Sequence, residues 1–322
     1  MGDDAKGEGL LADEAQALVA GLRARQRWAV ARVATEFERR SQVGVQVLRL
    51  IEVGLGRALV IGITGPPGAG KSTLVNAMIV ALRARGGTVG VIAVDPSSPI
   101  SGGAILGDRI RMTAAVEDDG VFVRSLASKG NLGGLTPAAV RIIDALDGAG
   151  FDTIILETVG TGQSEVDVAE IADVRVVVAA PGLGDDIQAM KSGLLEIADV
   201  LVVNKGDRPG AEATLQQLAG AVSVRAHTSH QANVAVLKTT ATTGAGVAAL
   251  VDASLAMGKL RLAEGAIPRR RRRARYLIAR AAADLIADRI RRGATSELDA
   301  AADDVLSGRD TAEAIARRLV ST

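Results

Sequence analysis

The chain has no cysteine, and its aromatic complement is one Trp, one Tyr and three Phe in 322 residues. Without thiols it forms no disulfide and no thiolate metal site, which suits a reducing compartment. With so few aromatics, burial rests on Ala, Val, Leu and Ile. In a chain that is 48% hydrophobic, that composition fits helices packed on a parallel sheet whose strands are apolar on both faces. An excess of either charge is also lacking: 38 basic residues offset 37 acidic ones to leave +1. No overall field therefore draws the chain to nucleic acid or to an anionic membrane, and no apolar run reaches the ~18 residues of a membrane span. Asp3, Asp4, Glu8, Asp13 and Glu14 make the first residues acidic, unlike a secretory or mitochondrial leader. The expectation is a cytoplasmic protein with neither a membrane nor a nucleic-acid partner.

Against that background one stretch stands out. Gly65-Pro66-Pro67-Gly68-Ala69-Gly70-Lys71-Ser72 matches the phosphate-loop pattern G-x-x-x-x-G-K-[ST] in full, and Thr73 follows it. Its setting is the required one, because Leu59 to Ile63 is a short apolar run and Thr73 to Arg85 has helical spacing. Gly65, Gly68 and Gly70 allow successive backbone N–H groups to converge on an anion, and the helix start adds its positive end. Lys71 is placed to neutralise the β- and γ-phosphates, and the Ser72 hydroxyl to serve as one ligand of Mg²⁺.

From Leu10 to Val53 the apolar spacing predicts two or three amphipathic helices after a disordered lead-in of about nine residues. Trp28 is assigned a packing role. From Ala58 strand and helix alternate, with strands near 59–63, 89–94, 121–123, 153–156, 174–179, 200–203 and 234–239. The fold class is therefore α/β: a P-loop NTPase with a mostly parallel sheet flanked by helices, preceded and followed by helical additions. Three parts are expected: an N-terminal helical extension (1–57), a nucleotide-binding domain (58–265) and a C-terminal helical part (266–322). The latter opens on Arg269 to Arg273, read as a solvated, charged helix start. Helices are expected there from Ala274 to Arg292 and from Ser296 to Leu319.

Asn204-Lys205-Gly206-Asp207 sets an N-K-x-D pattern at the end of an apolar strand. In nucleotide-binding proteins of this kind the Asp carboxylate accepts from guanine N1–H and the exocyclic amine, which adenine does not offer. Thr240, Ala241 and Thr242 are placed to support the base. Between phosphate and base lie Asp95, Asp108 and Glu157, with oxygen ligands suited to Mg²⁺. Glycines follow Glu157, so that segment is able to move when the γ-phosphate is lost. Gly160 is followed by Thr161, Gly162 and only then Gln163, so intrinsic hydrolysis is expected to be slow. Asp95 is the first candidate to position the attacking water and Gln163 the second. Residues 181–191 are a candidate third switch. His227 and His230 are read as exposed loop residues and not a metal site.

Four stretches together resemble the MeaB/ArgK family of P-loop GTPases, bacterial counterparts of the methylmalonic aciduria type A protein. They are Gly65 to Thr73, Asp95 to Arg109, Glu157 to Glu165, and Asn204 to Asp207. The resemblance implies a homodimeric GTPase chaperone that gates adenosylcobalamin loading of methylmalonyl-CoA mutase and protects it. It also implies GTP or GDP with Mg²⁺ as ligands and a C-terminal dimerisation arm. Lys71 and Ser72 would hold phosphates and metal, Asp108 and Glu157 would belong to the metal and switch set, and Asp95 would assist hydrolysis. An older label for such proteins is a transport-system kinase, and Asn204 to Asp207 argues against ATP as the substrate. Two alternatives are a nickel-type metallochaperone GTPase, which the lack of Cys disfavours, and an RNA- or ribosome-associated GTPase using the arginine run.

Overall fold

Seven short apolar runs form strands in the computed structural model: β1 (Leu59–Thr64), β2 (Val89–Pro96), β3 (Val121–Ser128), β4 (Thr153–Glu157), β5 (Val174–Ala179), β6 (Val200–Val203) and β7 (Ala235–Lys238). The structure describes residues 2–96, 118–128, 135–158, 163–182, 194–228, 234–292 and 295–321. The strands make one sheet in the order β3-β2-β4-β1-β5-β6-β7, and every pairing is parallel. A parallel ladder cannot be closed by hairpins, so helices carry the chain between strands and cover both faces. β1 lies between β4 and β5, with Ile63 in register with Glu157 and Thr64 with Val177. Every residue of β1 is buried.

Alternation along the strands divides the core. Val176 and Val178 of β5 join Ile61, Ile63 and Val202 on the side covered by α4 (Lys71–Arg83) and α9 (Val247–Ala263). Leu74, Met78 and Ile79 of α4 are fully buried there, each contributing on the order of 2 kcal/mol. Val177 and Ala179 face the other way, toward Leu194 of α7 (Leu194–Ile197) and Leu218 of α8 (Ala211–Thr228). α6 (Gln163–Ile171) also lies against β1. The period of two expected of a strand buried on both faces is thus realised.

The first helices are α1 (Gly2–Arg23), α2 (Arg27–Arg39) and α3 (Gln42–Ile51). They pack on one another, and α2 packs on α5 (Pro137–Gly148). Ser41 caps α3 by accepting from Gly44 N at 3.0 Å. Two sequence expectations change here. The lead-in is not irregular, because α1 begins at Gly2. Trp28 is 60% exposed; one edge of its ring lies over Gly21 and the rest faces solvent, so it is not a core packing residue.

The chain divides into two compact units, Met1–Arg273 and Ala274–Thr322. α10 runs from Ala266 to Arg292, so it starts before the arginine run and takes Pro268 into its first turn, where a missing N–H removes no helical bond. The second unit continues with α11 (Thr295–Leu306) and α12 (Ala312–Ser321). The single helix expected from 296 to 319 is therefore broken, at a turn where Gly308 has φ of 68°. Ile278 and Leu285 of α10 and Leu306 of α11 are exposed.

The arginine run overturns its expectation most clearly. Arg269 and Arg273, one helical turn apart, are only 1% and 3% exposed. Both donate to Asp173 Oδ2 at 2.9 Å. Burying one acid among three arginine side chains is what turns a charged stripe inward: Arg272 completes the set, 3.4 Å from Asp173 Oδ1. Arg271 remains exposed.

Candidate functional site

The site sits where the carboxyl ends of β1, β4, β5 and β6 come together. Between β1 and α4 the chain turns through Gly65, with φ of 139°, and Gly70, with φ of 87°. At Gly65 a Cβ would stand 2.1 Å from Val178 O of β5, so only glycine lets the loop pass this close to its neighbour strand. The first helical bond of α4 joins Leu74 N to Gly70 O at 2.9 Å. The amides of that first turn, with the dipole of the helix behind them, are the groups a phosphate takes.

Lys71 is buried and folds back over the loop, donating to Gly65 O at 2.8 Å and Pro66 O at 3.0 Å. Ser72 Oγ donates to Glu157 Oε1 at 2.6 Å. This contact joins the helix start to the end of β4, and Glu157 itself is buried. Thr158, the next residue, donates to Thr64 Oγ1 at 3.2 Å, tying the ends of β4 and β1 together.

On the far side of the loop, Asn204 follows β6 and is buried. Its Nδ2 donates to Ala69 O at 3.0 Å and Gly70 O at 3.3 Å. Its Oδ1 accepts from Thr239 Oγ1 at 3.2 Å and Ala241 N at 3.1 Å. The two carbonyls only accept and the Ala241 amide only donates, so the partners fix which way the amide points. One side chain thus joins the phosphate loop to the loop after β7. Lys205 takes a left-handed φ of 56°, and Gly206 N donates to Thr239 O at 2.9 Å. Asp207 is left exposed on that turn. Thr240 bridges to Ala245, closing a tight loop that carries Ala241 and the exposed Thr242.

Of the sequence candidates, Lys71, Ser72 and Glu157 are brought together, as are Ala69, Gly70, Asn204 and Ala241. Asp95 is the next-to-last residue of β2, paired with Ala127 of β3; its side chain lies outside the described residues. Asp108 lies outside them altogether, as do residues 183–191 of the third-switch candidate and residues 159–162. Gln163 is the first residue of α6. His227 is in the last turn of α8 rather than in a loop, and His230 lies outside the described residues. What the sequence reading missed is the bridging role of Asn204. Its signal was available, since N-K-x-D ends a strand that must pass beside β5 and hence beside Gly65.

A seven-stranded parallel sheet, a phosphate loop on its central strand, and an N-K-x-D turn bonded to that loop define a P-loop NTPase fold. The chain belongs to the family described as methylmalonyl Co-A mutase-associated GTPase MeaB, whose model matches residues 28–295. A Pyrococcus abyssi relative is 50% identical over 201 residues, which is 62% of each chain. The GTPase ArgK of Escherichia coli is 42% identical over 200 residues, 62% of this chain and 60% of that one. The matches thus span somewhat less than two thirds of these relatives. A crystal structure of LAO/AO transport system kinase shares the fold, with a TM-score of 0.73 at 24% identity over 95% of this chain and 96% of that one. Among the described residues no helix is long and apolar enough to cross a membrane.

Proposed function

We propose that the chain is a GTP-hydrolysing chaperone of adenosylcobalamin-dependent methylmalonyl-CoA mutase, gating cofactor loading and protecting the mutase. The observation that carries the nucleotide half is Asn204. Its amide ties the phosphate loop to the Thr239–Ala241 loop, so triphosphate and base are held by one connected element. The family's description supports the mutase half.

In this reading residues 65–73 cradle the phosphates. Lys71 leaves the carbonyls of Gly65 and Pro66 for the β- and γ-phosphate oxygens, and exchanging two neutral acceptors for charged ones favours the move. Asp207 reads guanine, with Lys205 and residues 240–242 around the ring. Ser72 Oγ and Glu157 are oxygen donors side by side at 2.6 Å, the donor type Mg²⁺ prefers. Mg²⁺ held there, with Asp95 and Asp108 as further candidates, would supply neutralisation of the charge growing on the β,γ-bridge. Asp95 positions the attacking water, with Gln163 as second candidate. Losing the γ-phosphate releases the segment after Glu157, and residues 181–191 pass the change to the mutase. Residues 1–57 form a helical extension, 58–265 the GTPase domain and 266–322 a homodimerisation arm.

The test is GTP hydrolysis with and without a purified adenosylcobalamin-dependent methylmalonyl-CoA mutase. The expected result is acceleration by the mutase and a complex that differs between GTP-analogue and GDP states. Equal rates, together with no nucleotide-dependent complex, overturn the mutase reading and leave a GTPase with another client.

A further inference from the structure

The turn between α1 and α2 presents a surface that the nucleotide site does not use. From Gln16 to Thr35 the sequence carries four arginines, Arg23, Arg25, Arg27 and Arg32, and no acid. Arg32 is already paired, 3.4 Å from Glu14 and 3.0 Å from Glu36. The other three precede Trp28, and all of them are exposed with it. α1 ends in a closed turn in which Gln26 N donates to Gly21 O and Arg25 N to Leu22 O, each at 2.9 Å. Glycine is the usual residue at the left-handed position of such a turn, yet Arg25 occupies it with φ of 52°. At Gly21 a Cβ would stand 2.7 Å from Ala29 Cβ and 3.3 Å from Trp28 Cζ2. The bare backbone there lets α2 close on α1 and seats one edge of the indole. Arg23 Nη2 donates to Leu50 O at 3.3 Å, which brings the exposed Leu50 of α3 to the same turn. Arg27 Nη2 donates to Val121 O, at the first residue of β3, at 3.1 Å. The surface therefore lies at the strand-start edge of the sheet, opposite the edge that carries the phosphate loop.

We propose that this turn is a docking surface for an acidic segment of a partner protein, which sets an apolar side chain against Trp28 and carboxylates against Arg23, Arg25 and Arg27. Trp and Arg are the side chains that most often dominate the binding energy between proteins, and here a ring with a fixed seat is edged by cations. The complement of that surface is a set of carboxylates around an apolar group. Nearby acids of the chain are engaged elsewhere, Asp118 by Arg83 and Glu52 by Arg270. A nucleic acid takes a basic track along which several phosphates are neutralised, and a membrane surface takes the apolar face of a whole helix. Three cations beside a single ring match the smaller scale of a peptide segment. Since the surface and the phosphate loop occupy opposite edges, the partner binds with or without nucleotide, and the proposal does not depend on how the phosphate site is read.

Trp28 is the only tryptophan, so its emission reports on this surface in the unlabelled full chain. The probe is a glutamate-rich copolymer with tyrosine, which supplies carboxylates and apolar rings together. The expected result is a saturable change in emission that weakens as salt rises from about 0.1 M to about 1 M, where the screening length shortens from ~10 Å to ~3 Å. Arg23→Gln combined with Arg25→Gln should weaken binding by about tenfold, the product of two exposed pairs, with Tm unchanged. Trp28→Ala, followed by the anisotropy of labelled copolymer, should weaken it by about thirtyfold, the size of a hot-spot loss. Arg309→Gln, which removes an exposed arginine paired with Asp304, should bind as the wild type does, and GDP should leave the affinity unchanged. Emission unmoved by the copolymer overturns the proposal, as does binding that neither the double variant nor Trp28→Ala weakens. Polyuridylate or phosphatidylserine vesicles bound as tightly as the copolymer overturn it too, by assigning the surface to another class of partner. Affinity that changes with GDP overturns its separation from the nucleotide site.

Discussion

Replacing Asn204 by Ala removes contacts to Ala69 O, Gly70 O, Thr239 Oγ1 and Ala241 N at once. At about 1 kcal/mol net for each, the loss is about 4 kcal/mol. The Met1–Arg273 unit contains 273 residues, so its unfolding entropy is about 0.6 kcal/mol/K, and a loss entirely at the expense of folding lowers Tm by about 7 °C. If the two loops part without unfolding, the same free energy appears as weaker nucleotide binding, up to about a thousandfold at 1.4 kcal/mol per decade. Thermal unfolding without nucleotide and calorimetric titration with GDP separate the two shares, whose sum should approach the full figure. Asn204→Asp tests the donor specifically. It keeps the size but turns an oxygen toward two carbonyls, so it should do no better than Ala. An Ala variant with unchanged Tm and unchanged GDP affinity refutes the claim that this amide joins the two halves of the site.

Asp207→Ala should cost GTP about 1 to 3 kcal/mol of affinity, the value of a lost bidentate base contact, and leave ATP unaffected; competition between the two nucleotides measures it, and an unchanged preference for GTP removes Asp207 from base reading. Gly65→Ala sets a methyl against Val178 O at 2.1 Å, so it should abolish nucleotide binding or folding, and a variant that binds GDP normally counts against the loop geometry. Burial pushes the Asp144 carboxyl up to about 6 from 3.8, against the pull of Arg141, Arg273 and Arg270. The folded state then holds this proton more tightly than the unfolded state, so stability should fall as pH rises from about 4 to about 6, by about 3 kcal/mol. Asp144→Asn should flatten that part of the pH–stability curve, and identical slopes in both proteins refute the assignment.

Strand positions, the parallel sheet and the phosphate loop were legible because each rests on local pattern: apolar runs of strand length, helical spacing, and a fixed set of glycines before Lys71. The ends of the chain were less so. The start of α1 was missed because its first turns are acidic and carry little apolar periodicity, although Asp3 and Asp4 suit a helix start. Arg269 and Arg273 were read as solvated because nothing local to residues 269–273 shows the acid that receives them; Asp173 lies far away in sequence and meets them only once β5 is seated beside β1. In the site itself, residue types were readable but not their connections. The pattern names Asn204 and Ser72, while their partners, Ala69, Ala241 and Glu157, follow from the adjacency of β6, β5, β1 and β4.

The parallel sheet gives its acids two different jobs by position alone. Since every strand points the same way, the strand starts share one edge, and Asp118, Asp152, Asp173 and Asp199 lie just before β3, β4, β5 and β6 there. They accept from Gly120 N, Thr88 N, Val60 N and Arg175 N at 2.8 to 3.0 Å, donors that the start of a parallel ladder leaves over. Arginines close the remaining valences: Arg83 on Asp118, Arg175 and Arg261 on Asp199, and the α10 run on Asp173. Burial alone would raise the Asp199 carboxyl, yet Arg175 and Arg261 hold it below the usual range, so it stays ionised and bonded. At the opposite edge Glu157 ends β4 with a Ser hydroxyl beside it, two oxygens of the kind that Mg²⁺ takes. An acid before a strand in this fold is therefore a structural acceptor, and an acid after one is a candidate for chemistry. Exchanging the two environments, by placing an arginine within reach of Glu157, should stabilise the fold and abolish hydrolysis together.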